Sequence, residues 1–264
     1  MDNIFVLKLI LSFIVGSLWI TMVTILAEKY GTRIGGLMAG LPSTILISLF
    51  FIAWTQSERV AVDATTIVPI IGGINCIFIV AYIFLLKINF WVALGGAFLI
   101  WTLLSFGIVL INFNSFPVSA ISYACLVLIT HYIVEKVLKV RSKAGRQMQY
   151  TLSIMIFRGV LGGLVIVSAI IVTKIGGPLI GGMFVMFPAM FVGMIFMTYF
   201  SHGTTFSAAV MKSSILGAIS VVIYGIMVRY TYITLGFIGG TVVSMAVSFA
   251  SSCVIHRYLM RKTS

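Results

Sequence analysis

Arg158 is the residue of this chain best placed to hold a charge. It falls in the apolar run Ile154-Met155-Ile156-Phe157-Arg158-Gly159-Val160-Leu161. That is about eight residues into an expected membrane span, roughly 12 Å deep at the helical rise. A guanidinium at such depth is costly and faces a cavity, a partner or a ligand. No carboxylate is expected inside a span to neutralise it, so a substrate carboxylate or phosphate is the expected counter-charge. The bland reading is a side chain that snorkels to the headgroups. Two glycine-proline stretches offer a second route to the same chemistry. Gly31-Thr32-Arg33-Ile34-Gly35-Gly36-Leu37-Met38-Ala39-Gly40-Leu41-Pro42 recurs 146 positions later as Gly177-Pro178-Leu179-Ile180-Gly181-Gly182-Met183-Phe184-Val185-Met186-Phe187-Pro188. A proline inside a span removes a backbone hydrogen bond and kinks or breaks the helix. The broken end presents free N–H groups and a positive dipole, which together bind anions. On this reading Gly35, Gly36, Gly181 and Gly182 supply N–H groups, and Pro42 and Pro188 set the breaks. Ser43 and Thr44 add hydroxyls on one side only, because their counterparts are Ala189 and Met190. The competing reading is close helix packing, since Gly36/Gly40 and Gly177/Gly181 have GxxxG spacing.

The elements that must position these residues are membrane helices. The chain has 264 residues, of which 61% are hydrophobic and 8% charged, with mean hydropathy +1.21. A soluble domain carries about three times that charged fraction. The pattern predicts an all-α integral membrane protein of about nine spans, near residues 4–27, 34–55, 66–86, 91–112, 117–138, 150–173, 178–200, 208–228 and 232–254. The first span follows Asp2 and is too long for a signal segment.

Lysine and arginine set the expected orientation. Lys136, Lys139, Arg141, Lys143 and Arg146 follow the fifth span, which puts that segment in the cytoplasm. Alternation then places Lys29, Arg33, Lys87, Lys212, Arg257, Arg261 and Lys262 on the same side, and Arg59, Lys174 and Arg229 on the other. The N-terminus is expected outside and the C-terminus inside, in a multi-pass protein of the plasma membrane. The repeat then divides the chain into a four-span unit at 1–112, a linker helix with a basic loop at 113–149, and a second four-span unit at 150–264. An odd number of spans between the copies makes the two units inverted in the bilayer.

Other chemistries find little support. Cys76, Cys125 and Cys253 lie in separate spans and suggest neither a metal site nor a disulfide framework. No metal and no cofactor is expected. There is no HExxH, no GxSxG and no aspartate pair on a helix face, so an enzyme is not expected. His131 reads as a hydrogen-bonded structural residue. The net charge of +12 fits basic loops against anionic lipid better than nucleic acid. Trp19, Trp54, Trp91, Trp101, Tyr230, Tyr232 and Tyr258 fit interfacial belts, and the 14 methionines fit packing.

The duplicated Gly-x3-Gly-Gly-[Leu/Met]-x3-[Leu/Phe]-Pro stretch at 31–42 and 177–188 resembles a signature of uncharacterised prokaryotic multi-pass membrane proteins with about four helices per unit. The architecture is also similar to that of inverted-repeat secondary transporters of the bile-acid-symporter and drug/metabolite types, from which the chain departs in its nine spans and in lacking the polar sodium-site residues of the former. The expectation is a permease that moves a small, anionic solute by alternating access, with the lipid bilayer and a small-molecule or lipid substrate as partners. A flippase for a phosphate-bearing lipid and a non-transporting assembly subunit are the alternatives. Homo-oligomerisation stays open.

Overall fold

The computed structural model describes residues 3–29, 42–140 and 152–263. Arg33, Gly35 and Gly36 of the first motif lie outside these residues, as do Arg141, Lys143 and Arg146 of the basic loop. Among the described residues the chain is all-α, without a strand.

Among the described residues, eight helices follow one another: α1 (Asn3–Lys29), α2 (Ser43–Thr55), α3 (Glu58–Ala64), α4 (Val68–Leu85), α5 (Phe90–Leu110), α6 (Phe116–Tyr132), α7 (Leu152–Val185) and α8 (Ala189–Thr263). Ile133–Val137 extends α6 with a π-helical turn. Gly177 divides α7 into α7a (152–176) and α7b (178–185). Gly203 and Gly236 divide α8 into α8a (189–202), α8b (204–235) and α8c (237–263). The three dividing glycines have φ of 84°, 78° and 72° with extended ψ, a region that only glycine occupies without strain.

Local chemistry explains the other boundaries. Ser57 caps α3 by accepting the Val60 N–H at 3.2 Å, and Asn89 caps α5 by accepting the Val92 N–H at 2.8 Å. Pro69 removes a donor from the first turn of α4, and Ser119 of α6 accepts the next N–H, that of Ile70, at 3.0 Å. Among the described residues, five stretches are long and apolar enough to cross a membrane: Asn3–Ile25, Val68–Leu85, Phe90–Leu110, Phe116–Val137 and the interrupted Met155–Ile255. α2 is apolar but has 13 residues, about 20 Å, short of a roughly 30 Å hydrocarbon core.

The core gathers around α2, which buries every residue from Ser43 to Ala53 except the half-buried Phe50. α1 and α7a cross beside it. Ser17 and Thr21 face Gly159, Ile20 faces Gly162, Phe13 and Ser17 face Gly163, and Ile166 faces Gly16. Numbers fall along α1 as they rise along α7a, so the two helices run antiparallel. Gly16 and Gly162 are 146 positions apart, and so are Ile20 and Ile166. The crossing therefore makes one glycine-isoleucine contact twice. α4 and α8b also run antiparallel, with Val68 against Gly225 and Val222 against Gly72. The same offset relates the starts of α2 and α8a, the breaks at Ser57 and Gly203, and the first residue of α5 and Gly236.

Candidate functional site

The start of α2 is buried and polar. Its first ladder bond is Leu46 N–H to Pro42 C=O at 2.8 Å, so the N–H groups of Ser43, Thr44 and Ile45 lie outside the ladder. Pro42 occupies the cap position and no side chain caps the turn. The hydroxyls of Ser43, Thr44 and Ser48 are buried and make no hydrogen bond among the described residues. Buried hydroxyls in helices ordinarily bond back to a carbonyl one turn earlier, as Thr24 and Thr198 do here. Three uncommitted hydroxyls beside a positive helix end form a surface of donors suited to an oxyanion.

Arg158 belongs to the other copy. It is 6% exposed, and its stem lies flat on Gly193 of α8a. A Cβ at Gly193 would sit 2.8 Å from its Cγ, so glycine there makes the seat. Its Nη2 lies 3.9 Å from the sulfur of Met190, in the first turn of α8a. Pro188 stands where the chain restarts as a helix, with Val192 N–H bonded to its C=O at 3.0 Å. The guanidinium and the positive end of α8a thus reinforce one another as attractors of negative charge. Arg158 is brought to Met190 and Gly193, while Ser43 heads the other half-helix.

Gly181 and Gly182 sit at close approaches. Thr173 covers Gly181, and the Ala64 carbonyl lies against Gly182. Both contacts match the packing reading of these glycines.

Asn75 is a polar residue that the sequence reading passed over. It is 4% exposed in the middle of α4. Its Nδ2 donates to the Met186 carbonyl at 2.9 Å, at the α7b/α8a break. Its Oδ1 accepts the Trp101 indole N–H at 2.7 Å. The clamp satisfies a carbonyl that the break frees. A lone amide within an apolar span was the available signal.

Three expectations need correction. Trp101 is 3% exposed and serves the Asn75 clamp, not an interfacial belt. Tyr232 is fully buried, with its hydroxyl 2.8 Å from that of Thr241. A carboxylate does fall within a span-length helix: Glu135, one turn beyond His131, pairs with it at 2.9 Å.

No curated protein and no solved structure matches the chain. One family matches it twice, over residues 9–114 and 155–261, so two related regions cover most of the chain. The chain belongs to that family, described as a protein of unknown function, DUF3147.

Proposed function

We propose that this protein is a membrane permease that moves a small anionic solute by alternating access between two inverted four-span units joined by α6. The observation that carries the reading is the start of α2, a helix end buried in the core with the uncommitted hydroxyls of Ser43, Thr44 and Ser48. Groups that give up water without gaining a partner cost stability, and a ligand that accepts their hydrogen bonds returns it. Arg158 at the start of α8a adds a fixed positive charge in the second unit. Pro42 and Pro188 hold the two half-helix starts, while Gly181 and Gly182 let α7b approach its neighbours. Gly35 and Gly36 lie outside the described residues, and their proposed role of supplying backbone N–H groups rests on the sequence.

Inversion is supported by the antiparallel crossings of α1 with α7a and of α4 with α8b, which pair sequence-equivalent helices. The family's double match at an offset of 146 residues supports duplication. The proposed protein has nine spans in the plasma membrane, with its N-terminus outside and its basic loop and C-terminus in the cytoplasm, an orientation that rests on the lysine and arginine distribution.

The test is thermal unfolding of the purified protein with inorganic phosphate, acetate, succinate or citrate. A ligand at 100 times its dissociation constant stabilises by about 2.7 kcal/mol. One of these anions is expected to raise the midpoint of the wild type in a saturable way, and to do so far less in Arg158→Ala and Ser43→Ala. If none shifts the wild type, or if the variants respond equally, the anion site is wrong.

A further inference from the structure

α3 is a seven-residue helix between α2 and α4, and polar contacts from its length and its C-terminal edge reach the second half of the chain. Glu58 accepts the backbone N–H of Phe237 at 2.8 Å, directly after the Gly236 break, so its charge caps the start of α8c. Arg229 of α8b donates to the Thr66 hydroxyl at 3.1 Å and the Val62 carbonyl at 3.5 Å. Its guanidinium carbon also lies 4.5 Å from the centre of the Phe116 ring. The Ala64 carbonyl rests on Gly182.

The other copy lacks this chemistry. At the same offset Glu58 becomes Thr204, Arg229 becomes Ile83 and Phe237 becomes Trp91. The stretch equivalent to α3 also runs without a stop into α8b, whereas α3 is separated from α4 at Thr65–Ile67. Near the opposite end the halves meet through neutral hydroxyls: Tyr82 lies 2.9 Å from Ser207, which accepts from Thr198 at 2.9 Å. Lys212 near that end reaches the Val140 carbonyl after α6 at 2.9 Å and not the first four helices. Among the described residues, the ties that Glu58 and Arg229 make therefore belong to one end, and they converge on an element with a break on either side.

We propose that α3 is a gate, held shut by Glu58 and Arg229, which closes the start of α2 to the face of the protein that carries Glu58. The inference rests on reading α2 as the binding helix. α2 extends from its buried start toward that face, where Lys8 donates to the Trp54 carbonyl at 2.7 Å and Gln56 to the Ile170 carbonyl at 3.2 Å. Opening requires α3 to give up Phe237, Arg229 and Gly182 together, and the breaks at Ser57 and Thr65–Ile67 let it do so as a unit.

The test is labelling of Ser43→Cys with a membrane-impermeant maleimide, in the full-length chain with Cys76, Cys125 and Cys253 replaced by alanine. The reagent is added to either face, using intact cells and inverted vesicles. Removing one hydrogen bond to a charged group shifts an opening equilibrium by about tenfold or more. Glu58→Gln combined with Arg229→Ala is expected to raise the labelling rate from the Glu58 face by that factor, with the opposite face unchanged. Glu58→Gln alone keeps the side-chain shape and gives a smaller rise on the same face, and Arg229→Lys falls between wild type and Arg229→Ala. Unchanged labelling from the Glu58 face in folded double and single variants overturns the gate. An equal rise from both faces also overturns it, because it reports a loosened bundle. The readout needs no substrate, so one-sided gating without any anion-induced stabilisation refutes the anion reading and leaves the gate standing.

Discussion

Thr44→Val removes a hydroxyl and keeps the shape of the side chain. Thr44 is 7% exposed and its hydroxyl makes no hydrogen bond among the described residues. Burying a hydroxyl without a partner costs about 1–3 kcal/mol. Valine gives that back with little repacking, so a net gain of about 1–2 kcal/mol is expected. In a chain of this size that raises a melting midpoint by roughly 2–8 °C. Ser48→Ala, at 0% exposure, moves the midpoint the same way, less a cavity term of a few tenths of a kcal/mol. The two residues lie one turn apart, so the double variant tests whether the gains add. The assay is thermal unfolding of detergent-purified protein by tryptophan fluorescence, with and without the anion that stabilises the wild type. The expected outcome is higher intrinsic stability together with a weaker response to the anion. If both variants melt below the wild type, the hydroxyls have partners in the resting protein, and the observation that carries the proposed function is gone.

Gly182→Ala places a methyl group on the Ala64 carbonyl, with Ile67 Cγ1 at 3.1 Å, and backbone cannot swing aside as a side-chain tip can. It should destabilise by about 1–3 kcal/mol, whereas Gly217→Ala, with nothing within 4 Å, should stabilise by about 0.5–1 kcal/mol. Equal midpoints for the two variants would sink the close approach of α7b to α3. Asn75→Leu strands the Met186 carbonyl and the Trp101 indole N–H, a loss of roughly 2–4 kcal/mol. Trp101→Phe leaves the Met186 bond intact and should cost less, so a reversed order of midpoints would contradict the clamp.

The sequence announced what depends on one residue's own backbone. Gly177 breaks a helix because it takes a positive φ, and Pro188 restarts one because it has no N–H to donate. Both properties belong to the residue alone, and the repeat doubled their signal. What stayed hidden depends on neighbours far along the chain. Nothing near Arg158 foretells that Gly193 provides its seat. Asn75 reads as one amide in an apolar span until the Met186 carbonyl arrives from 111 residues away. Trp101 was misread because a belt tryptophan and a clamp tryptophan share a composition and differ only in depth.

The doubled contact of Gly16 with Ile166 and of Gly162 with Ile20 has a consequence for how this site came to be lopsided. Made between two half-length chains it would be one self-complementary patch, as in any two-fold dimer. Such a dimer must repeat every residue: an arginine at position 158 would force a second one at the place of Ser12, and Ser43 would face a twin where Ala189 now stands. Tethering the halves through α6 keeps the same patch together by making the encounter intramolecular. It also releases the two faces from identity. A single chain can hold one arginine in place of two like charges, and hydroxyls at the start of α2 where the start of α8a carries Ala189 and Met190. In the proposed inverted arrangement, the two-fold axis passing between Gly16 and Gly162 preserves the symmetry of the scaffold and leaves the chemistry on either side of it free to differ.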